Sequence, residues 1–272
     1  MFCSSPLAPQ FSSRCRWRRA FASLLAFAVL GLGACEQIRT PGFEQLRPPD
    51  ANSHTTTMGQ VADEPSVKPG INEAYFAADI DVGVWTQRFE VETREIYHAR
   101  AEIVSAVGLQ PGQRVADIGA GTGLFLEPFA EAVGSTGRVY ALDIVPAFID
   151  HMAARAAHLG LPQVEARLSS ERSIDLPTNS IDAAFVCDVY HHFEYPRSSL
   201  ASIYSALRPG GQLVVIDFRR IPGVSRDWVL NHVRAGQKVV TAEIEHAGFV
   251  LVEEVLIDSF EESYFLRFRK PR

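Results

Sequence analysis

The chain has 272 residues, 47% of them hydrophobic and 21% charged, with a formal net charge of −6. That length and apolar share can bury one substantial core, so one main domain with a tail is expected. The first 35 residues hold Arg14, Arg16, Arg18 and Arg19 and no acid, which leaves 22 basic against 32 acidic residues beyond them, a net charge of −10. Such a body is a poor clamp for nucleic acid. Cys3, Cys15 and Cys35 sit in the leading segment and Cys187 stands alone in the rest. Neither a disulfide framework nor a cysteine-rich zinc site follows from that spacing.

Arg14 to Arg19 reads RCRWRR and is followed by the apolar run AFASLLAFAVLGL, then by LGAC ending at Cys35. A basic start, a short apolar core and a small-residue exit have the form of a secretory signal over 1–35. The run is shorter than the roughly 20 residues that span a bilayer. LGAC resembles the bacterial lipobox, which implies cleavage that leaves Cys35 to receive lipid and holds the protein on the periplasmic side of the envelope membrane. RRAF, from Arg18, resembles the core of a twin-arginine signal, a route for proteins already folded. Initiation at Met58 would instead leave the protein in the cytoplasm. Residues 36–70 carry five prolines with scattered Thr, Asn and Gly and no apolar period, which predicts a flexible linker.

From Ile71 a helical region opens, and Val84, Trp85, Phe89, Ile96, Ile103, Val104 and Val107 share one apolar stripe up to the stop GLQPGQ. Strands and helices then alternate. The strands are RVADIG, RVYALDI, VEARLS, IDAAFVCD and QLVVIDF; the helices run from Leu124 to about Val133, Pro146 to His158, Arg197 to Leu207 and near Val239 to Ala247. Two closing strands, FVLVEEVLI and SYFLRFRK, are joined too tightly for a crossover and should be antiparallel. The predicted fold over 71–272 is α/β, a doubly wound, Rossmann-like, mostly parallel seven-stranded sheet with an antiparallel C-terminal strand pair. Ligands of such sheets sit at the carboxyl ends of the strands.

There the first strand ends in VADIGAGTG, Val115 to Gly123. Gly119, Gly121 and Gly123 let backbone curve tightly against a ligand, and the following helix offers free N–H groups, which suits a nucleotide-like molecule. Asp143 closes the second strand, where a carboxylate accepts from two ribose hydroxyls. A dinucleotide fingerprint would need glycine where Leu124 stands and has no use for Asp117.

These residues resemble motif one of the class I S-adenosylmethionine-dependent methyltransferases, D-x-G-x-G-x-G, read here as Asp117 to Gly123. The resemblance runs from about Val91 to Lys270 and includes VYALDI, LPTNSIDAAFVCDVYHHF and LRPGGQLVVIDF. It implies S-adenosylmethionine as cofactor, with Gly119, Ala120, Gly121 and Gly123 beside its methionine portion and Asp117 facing its ammonium. Asp143 would hold the ribose, Ile144 would lie on adenine, and Ser170, Glu171 and Cys187 would complete the pocket. The helix at the start of the domain would form a lid offering Trp85, Phe89, Arg94 and Tyr97, with Phe89 more at home in the core.

Methyl transfer from a sulfonium is an in-line displacement that needs alignment, dryness and at times removal of a proton. CDVYHHFEYP follows the fourth strand, so Asp188, His191 and His192 are the candidates for orienting the acceptor or acting as base, or else for capping and packing the next helix. No metal site is expected there, because adjacent side chains rarely converge on one ion. Arg219, His232 and Arg234, with Arg220 and Arg226, are placed near the same rim, which would favour an anionic acceptor, or else form an ordinary solvated face. The N/D-P-P-Y/F element of amino-methylating relatives is absent, and the cysteines that arsenite methylation needs are missing. Small-molecule or lipid-like acceptors attacked at O, C or S remain, as does an exported protein that binds S-adenosylhomocysteine or a related nucleoside without catalysis.

Overall fold

The computed structural model describes residues 63–77, 79–92 and 94–272. The expected signal, Cys35 and most of the expected linker lie outside them. Among the described residues no helix is long and apolar enough to cross a membrane.

Three helices, α1 (Val82–Phe89), α2 (Glu95–His98) and α3 (Arg100–Val107), lead into the alternating body. It runs β1 (Arg114–Ile118), α4 (Leu126–Val133), β2 (Arg138–Asp143), α5 (Pro146–His158), β3 (Val164–Leu168), β4 (Ile181–Cys187) and α6 (Pro196–Ala206). Then come β5 (Leu207–Phe218), α7 (Asp227–His232), α8 (Gln237–His246), β6 (Val250–Val255) and β7 (Ser263–Arg269). The seven strands lie in the order β3-β2-β1-β4-β5-β7-β6. Strands β1 to β5 are parallel, and β7 slots between β5 and β6, antiparallel to both. The strand order reverses between β1 and β4, which opens a crevice at their carboxyl ends.

Alternation along the strands builds the core on both faces. Val115, Val139, Phe185 and Val214 pack toward Ile103 and Val107 of α3 and Phe129 of α4. Ala116, Val186, Leu213 and Val215 face the other way, onto Leu200 and Ile203 of α6 and Val240 and Ile244 of α8. Pro146 starts α5 at a position where its fixed φ is helical and its missing N–H is no loss.

Two expectations need correction. The single apolar stripe is cut into three helices: Ile96, Ile103 and Val107 are buried, but α1 buries nothing and Val84 is 42% exposed. Arg94 makes the break, donating to Phe89 O at 2.9 Å and pairing with Asp188 across the cavity. A helix continuous through this point would carry Arg94 away from both. The end of the expected linker is also part of the fold. Glu64 is buried and accepts from Arg197 N at 2.9 Å, Ser198 N at 2.8 Å and Ser198 Oγ at 2.7 Å, capping α6 from a distance. Val67 N donates to Glu194 O at 2.9 Å, Gly70 N donates to Glu194 Oε1 at 3.0 Å, and the Lys68 ammonium caps the last carbonyls of α7 at Asn231 and His232. Residues 64–72 therefore form a strap rather than a tether.

Candidate active site

The bend after β1 is built by glycine because nothing else fits it. Gly119 has φ +71°, and a Cβ there would lie 2.5 Å from Val189 Cγ1. Gly121 has φ +56°, and a Cβ there would come into contact with the Phe89 ring at 3.4 Å. The bend is fastened to β2, with Gly119 N and Ala120 N both donating to Leu142 O at 2.8 and 2.9 Å. Asp143 accepts from Gly121 N at 2.9 Å and from Val145 N at 3.0 Å. Burial pushes its pKa up, against the pull of those N–H donors, to about 6.

Asp117 stands beside it, 2% exposed, with Oδ2 lacking any hydrogen-bond partner. Burial, reinforced by the Asp143 carboxylate, pushes its pKa up to about 8. A buried carboxyl oxygen with no donor is costly to leave unmade, and this one lines a cavity of about 630 Å³. An ammonium brought to it would supply both the missing donor and the missing charge. The acids, the glycine bend and the amphipathic cleft therefore suit the amino-acid and ribose portions of S-adenosylmethionine.

Ile144, Ser170, Glu171 and Cys187 also line the cavity. Glu171 Oε1 accepts from Asn72 Nδ2 at 3.0 Å. The roof is aromatic: Tyr75 and Trp85 have ring centroids 4.7 Å apart, Trp85 and Phe89 5.3 Å, and Phe148 lies 6.5 Å from each of the three. Phe89 thus faces the cavity rather than the core. Glu90 pins this roof to the bend, taking Thr122 Oγ1 at 2.8 Å and Arg155 Nη1 at 2.7 Å.

The opposite end of the cavity is polar. Asp188, at φ +58°, turns the chain off β4 in a conformation unusual for a side-chain-bearing residue. It pairs with Arg94. A 3₁₀ turn, Tyr190–His192, follows and brings His191 and His192 together with ring centroids 4.3 Å apart. Asp217, at the end of β5, accepts from His191 N at 2.9 Å and lies 2.8 Å from His191 Nδ1. Burial pulls the His191 pKa down, but Asp217 and Asp188 outweigh it and leave it raised. His192 Nδ1 meets Asn72 Oδ1 at 3.1 Å, and its Nε2 lies 3.3 Å from Nε2 of His232, whose ring stacks on Trp228.

The expected rim is only partly assembled. His232 and Arg226 line the cavity, but Arg219 and Arg234 do not. Arg219 turns to Glu254 at 2.7 Å and Ser263 O at 3.1 Å, and Arg234 forms a fork onto Glu243 at 2.9 and 2.8 Å. Carboxylates on β6 and α8 claim both, while Arg226 is paired with Glu262 at 2.9 Å. The cationic rim is therefore largely neutralised. Tyr97 lies outside the cavity, with Arg100 over its ring at 4.1 Å. Asn72, Tyr75, Phe148, Asp217 and Trp228 join the site without having been singled out. Of these only Asp217 had a signal, an acid at the tip of the fifth strand in VVIDF.

A doubly wound sheet with an acid-flanked glycine bend at its switch point is an arrangement that seats a nucleotide-like ligand at the carboxyl ends of its strands. Residues 116–215 match the family described as "Methyltransferase domain". The chain is 30% identical over 115 residues to a ubiquinone/menaquinone biosynthesis C-methyltransferase UbiE of Hydrogenovibrio crunogenus, covering 42% of this chain and 45% of that protein. It is 31% identical over 119 residues to a demethylmenaquinone methyltransferase of Renibacterium salmoninarum, covering 44% and 47%. The chain spans less than half the length of these curated relatives. Its fold is similar to that of a SAM-dependent methyltransferase from Aquifex aeolicus, with a TM-score of 0.62 at 23% identity over 71% of this chain and 100% of that one.

Proposed function

We propose that this protein transfers a methyl group from S-adenosylmethionine to a small or lipid-like acceptor held at the histidine end of the cavity. The observation that carries the reading is the orphaned Asp117 carboxyl beside the glycine bend, within a cavity that Asp143 also lines. When bound, the cofactor supplies a methyl group already activated on a sulfonium, so the chain's residues need only bind, align and exclude water. Asp117 takes the ammonium and Asp143 the ribose diol. The aromatic roof of Tyr75, Trp85 and Phe89 closes over them.

At the other end His191 is the group suited to accept a proton. Asp217 supports its basicity, whereas burial, with His191 next, holds His192 down to about 2 and His232 to about 4, which makes them weak bases. The cavity lining includes an apolar side chain that stands half in the open, Trp228, at 46% exposure. A lining of this kind favours a lipid-like acceptor, in keeping with the quinone-biosynthesis names of the relatives. We also infer that residues 1–35 export the protein and that Cys35 anchors it by lipid at the membrane.

Calorimetric titration with S-adenosylmethionine, with NAD as control, tests the cofactor. Saturable binding of the first and none of the second is expected, and the reverse overturns the reading. Incubation with a lipid extract and labelled cofactor then identifies the acceptor as the species that gains a methyl group. Fractionation of cells expressing the Cys35→Ala variant tests the anchor: it should leave the membrane fraction, and an unchanged distribution would defeat that claim.

A further inference from the structure

Three histidines meet at the acceptor end of the cavity. One ring nitrogen from each of His191, His192 and His232 lies within 4.8 Å of the other two. They come from two elements, the turn after β4 and the end of α7. For His191 and His192 the surrounding hydrogen bonds decide which ring nitrogen holds the lone pair.

Asp217 is a carboxylate that already accepts from His191 N and from Phe218 N, so the 2.8 Å contact to His191 Nδ1 requires that nitrogen to donate. The His191 lone pair is therefore on Nε2. Asn72 gives its Nδ2 to Glu171 Oε1 and to His192 O, which fixes its amide with Oδ1 toward the ring. His192 Nδ1 must donate to that oxygen at 3.1 Å, and its lone pair is on Nε2 as well. The Nε2 atoms of His192 and His232 stand 3.3 Å apart. Two imidazole nitrogens on one tetrahedral zinc, each at about 2.0–2.1 Å, are separated by about 3.3 Å.

We propose that His191, His192 and His232 form a three-histidine site for a divalent transition metal of the zinc class, whose fourth position opens into the cavity. The pattern is that of an open rather than a closed site: three protein nitrogens, with one place left for an exchangeable ligand. Asp217 behind His191 and Asn72 behind His192 orient the rings as second-layer partners do in such centres. Asp217 and Asp188 bring negative charge to offset Lys68 and Arg94 nearby. The other cluster, Asp188, His191 and Asp217, carries no such site, because Arg94 and three N–H donors already occupy its oxygens.

This deepens the proposed function and, for the role of the metal, rests on it. A thiol or hydroxyl acceptor entering the fourth position displaces bound water and ionises there, its proton passing to solvent. The anion left behind points into the cavity that holds the cofactor. His191 then serves as a ligand, and the cation takes over the acidification otherwise asked of the ring.

The test uses the untagged full chain in detergent, stripped with chelator and titrated with Co(II). One equivalent should give the intense visible bands of tetrahedral cobalt, and one equivalent of Zn(II) should abolish them. His232→Ala and His232→Gln, checked for an unchanged far-ultraviolet spectrum and melting point, should lose the bands. Asn72→Ala should weaken affinity about 10–100-fold. Benzenethiol added to the cobalt protein should bring a sulfur-to-metal charge-transfer band, and its absence would remove the acceptor role. Absence of stoichiometric cobalt bands, or their persistence in both His232 variants, would overturn the site. S-adenosylmethionine titration of the same sample separates the two ideas: cofactor binding without cobalt bands overturns the metal alone, whereas cobalt bands without cofactor binding overturn the methyltransferase reading and leave the metal standing.

Discussion

Gly121 donates its backbone N–H to Asp143 Oδ2 at 2.9 Å, so the glycine bend after β1 and the acid closing β2 are one hydrogen-bonded unit. The same carboxylate holds Val145 N at the start of α5. Removing it loosens the bend and deletes the proposed partner of the ribose diol together. Asp143→Ala should therefore weaken S-adenosylmethionine binding by about 1.5–3 kcal/mol, the range for hydrogen bonds to a charged group, or roughly 10–150-fold. Asp143→Asn should lose less, because one oxygen can still accept. Titration calorimetry on both variants checks the order.

Asp117 makes cofactor binding depend on pH. Its pKa in the folded protein is about 8 against an ordinary value of 3.8, so near neutrality the carboxyl is mostly protonated while the unfolded chain is ionised. The folded state then binds more protons than the unfolded one, and this group's contribution to stability falls as pH rises from about 4 to about 8. An ammonium needs the ionised form, so binding at pH 7 should release close to one proton and should tighten up to about pH 8. Calorimetry in buffers of different ionisation enthalpy reads the proton directly. Asp117→Asn should abolish the release, weaken binding and melt higher than the parent at pH 8.

Two neighbouring glycines should respond differently to alanine. At Gly119 a Cβ would sit 2.5 Å from Val189 Cγ1, just beyond Asp188, and the φ of +71° adds strain. Gly119→Ala should lose about 1–3 kcal/mol of stability and disturb the exit of β4. At Gly121 the nearest atoms belong to the Phe89 ring at 3.4 Å, so the new methyl occupies the cleft between bend and roof. Gly121→Ala should lose only about 1–2 kcal/mol of stability, from its left-handed backbone, yet bind cofactor at least tenfold more weakly. Thermal melts paired with titrations separate strain from obstruction.

Most of the sheet was legible in the sequence because strand burial on two faces writes itself as short apolar runs, and β1, β2, β4 and β5 appear where VADI, VYALD, DAAFV and LVVID stand, with the half-exposed edge strand β3 at VEARL. The acids were legible because a carboxylate at an apolar strand tip has no packing reason to be there. What escaped was set by distant partners. Arg219 and Arg234 look like rim residues until Glu254 and Glu243 are placed beside them. Asn72 gives no local sign that it will orient a histidine 120 residues away. The break at Arg94 comes from a carboxylate across the cavity, which no helical period encodes.

The roof should open when its clasp is cut. Glu90 Oε1 holds both Thr122 Oγ1 and Arg155 Nη1, and Arg155 also donates to Thr122 O at 3.2 Å. Glu90→Gln keeps an acceptor but loses the ion pair, and Glu90→Ala loses both. The alanine variant should exchange backbone amides faster over 82–90 than over the sheet, and should release cofactor about tenfold faster, with the glutamine variant between. Hydrogen exchange confined to this segment would show local opening. Equal acceleration in β1 and β4 would instead show that Glu90 supports the whole fold.

Glu64 tests whether the strap is structural. Its carboxylate takes two backbone N–H groups and the Ser198 hydroxyl at the start of α6, although 134 residues separate Glu64 from Ser198. Pro196 occupies the first position of that helix, so Arg197 and Ser198 present the next free N–H groups, and nothing on the helix's own N-terminal residue caps them. Glu64→Ala strips the cap and leaves buried donors without partners. It should lower stability by about 1–2 kcal/mol, at the upper end for a helix cap. Glu64→Gln, which retains an acceptor oxygen, should recover part of that. Because Lys68 on the same strap holds the end of α7, Glu64→Ala should also raise proteolytic cleavage within 221–236, and a variant that melts lower with this loop unchanged would confine the strap's role to α6.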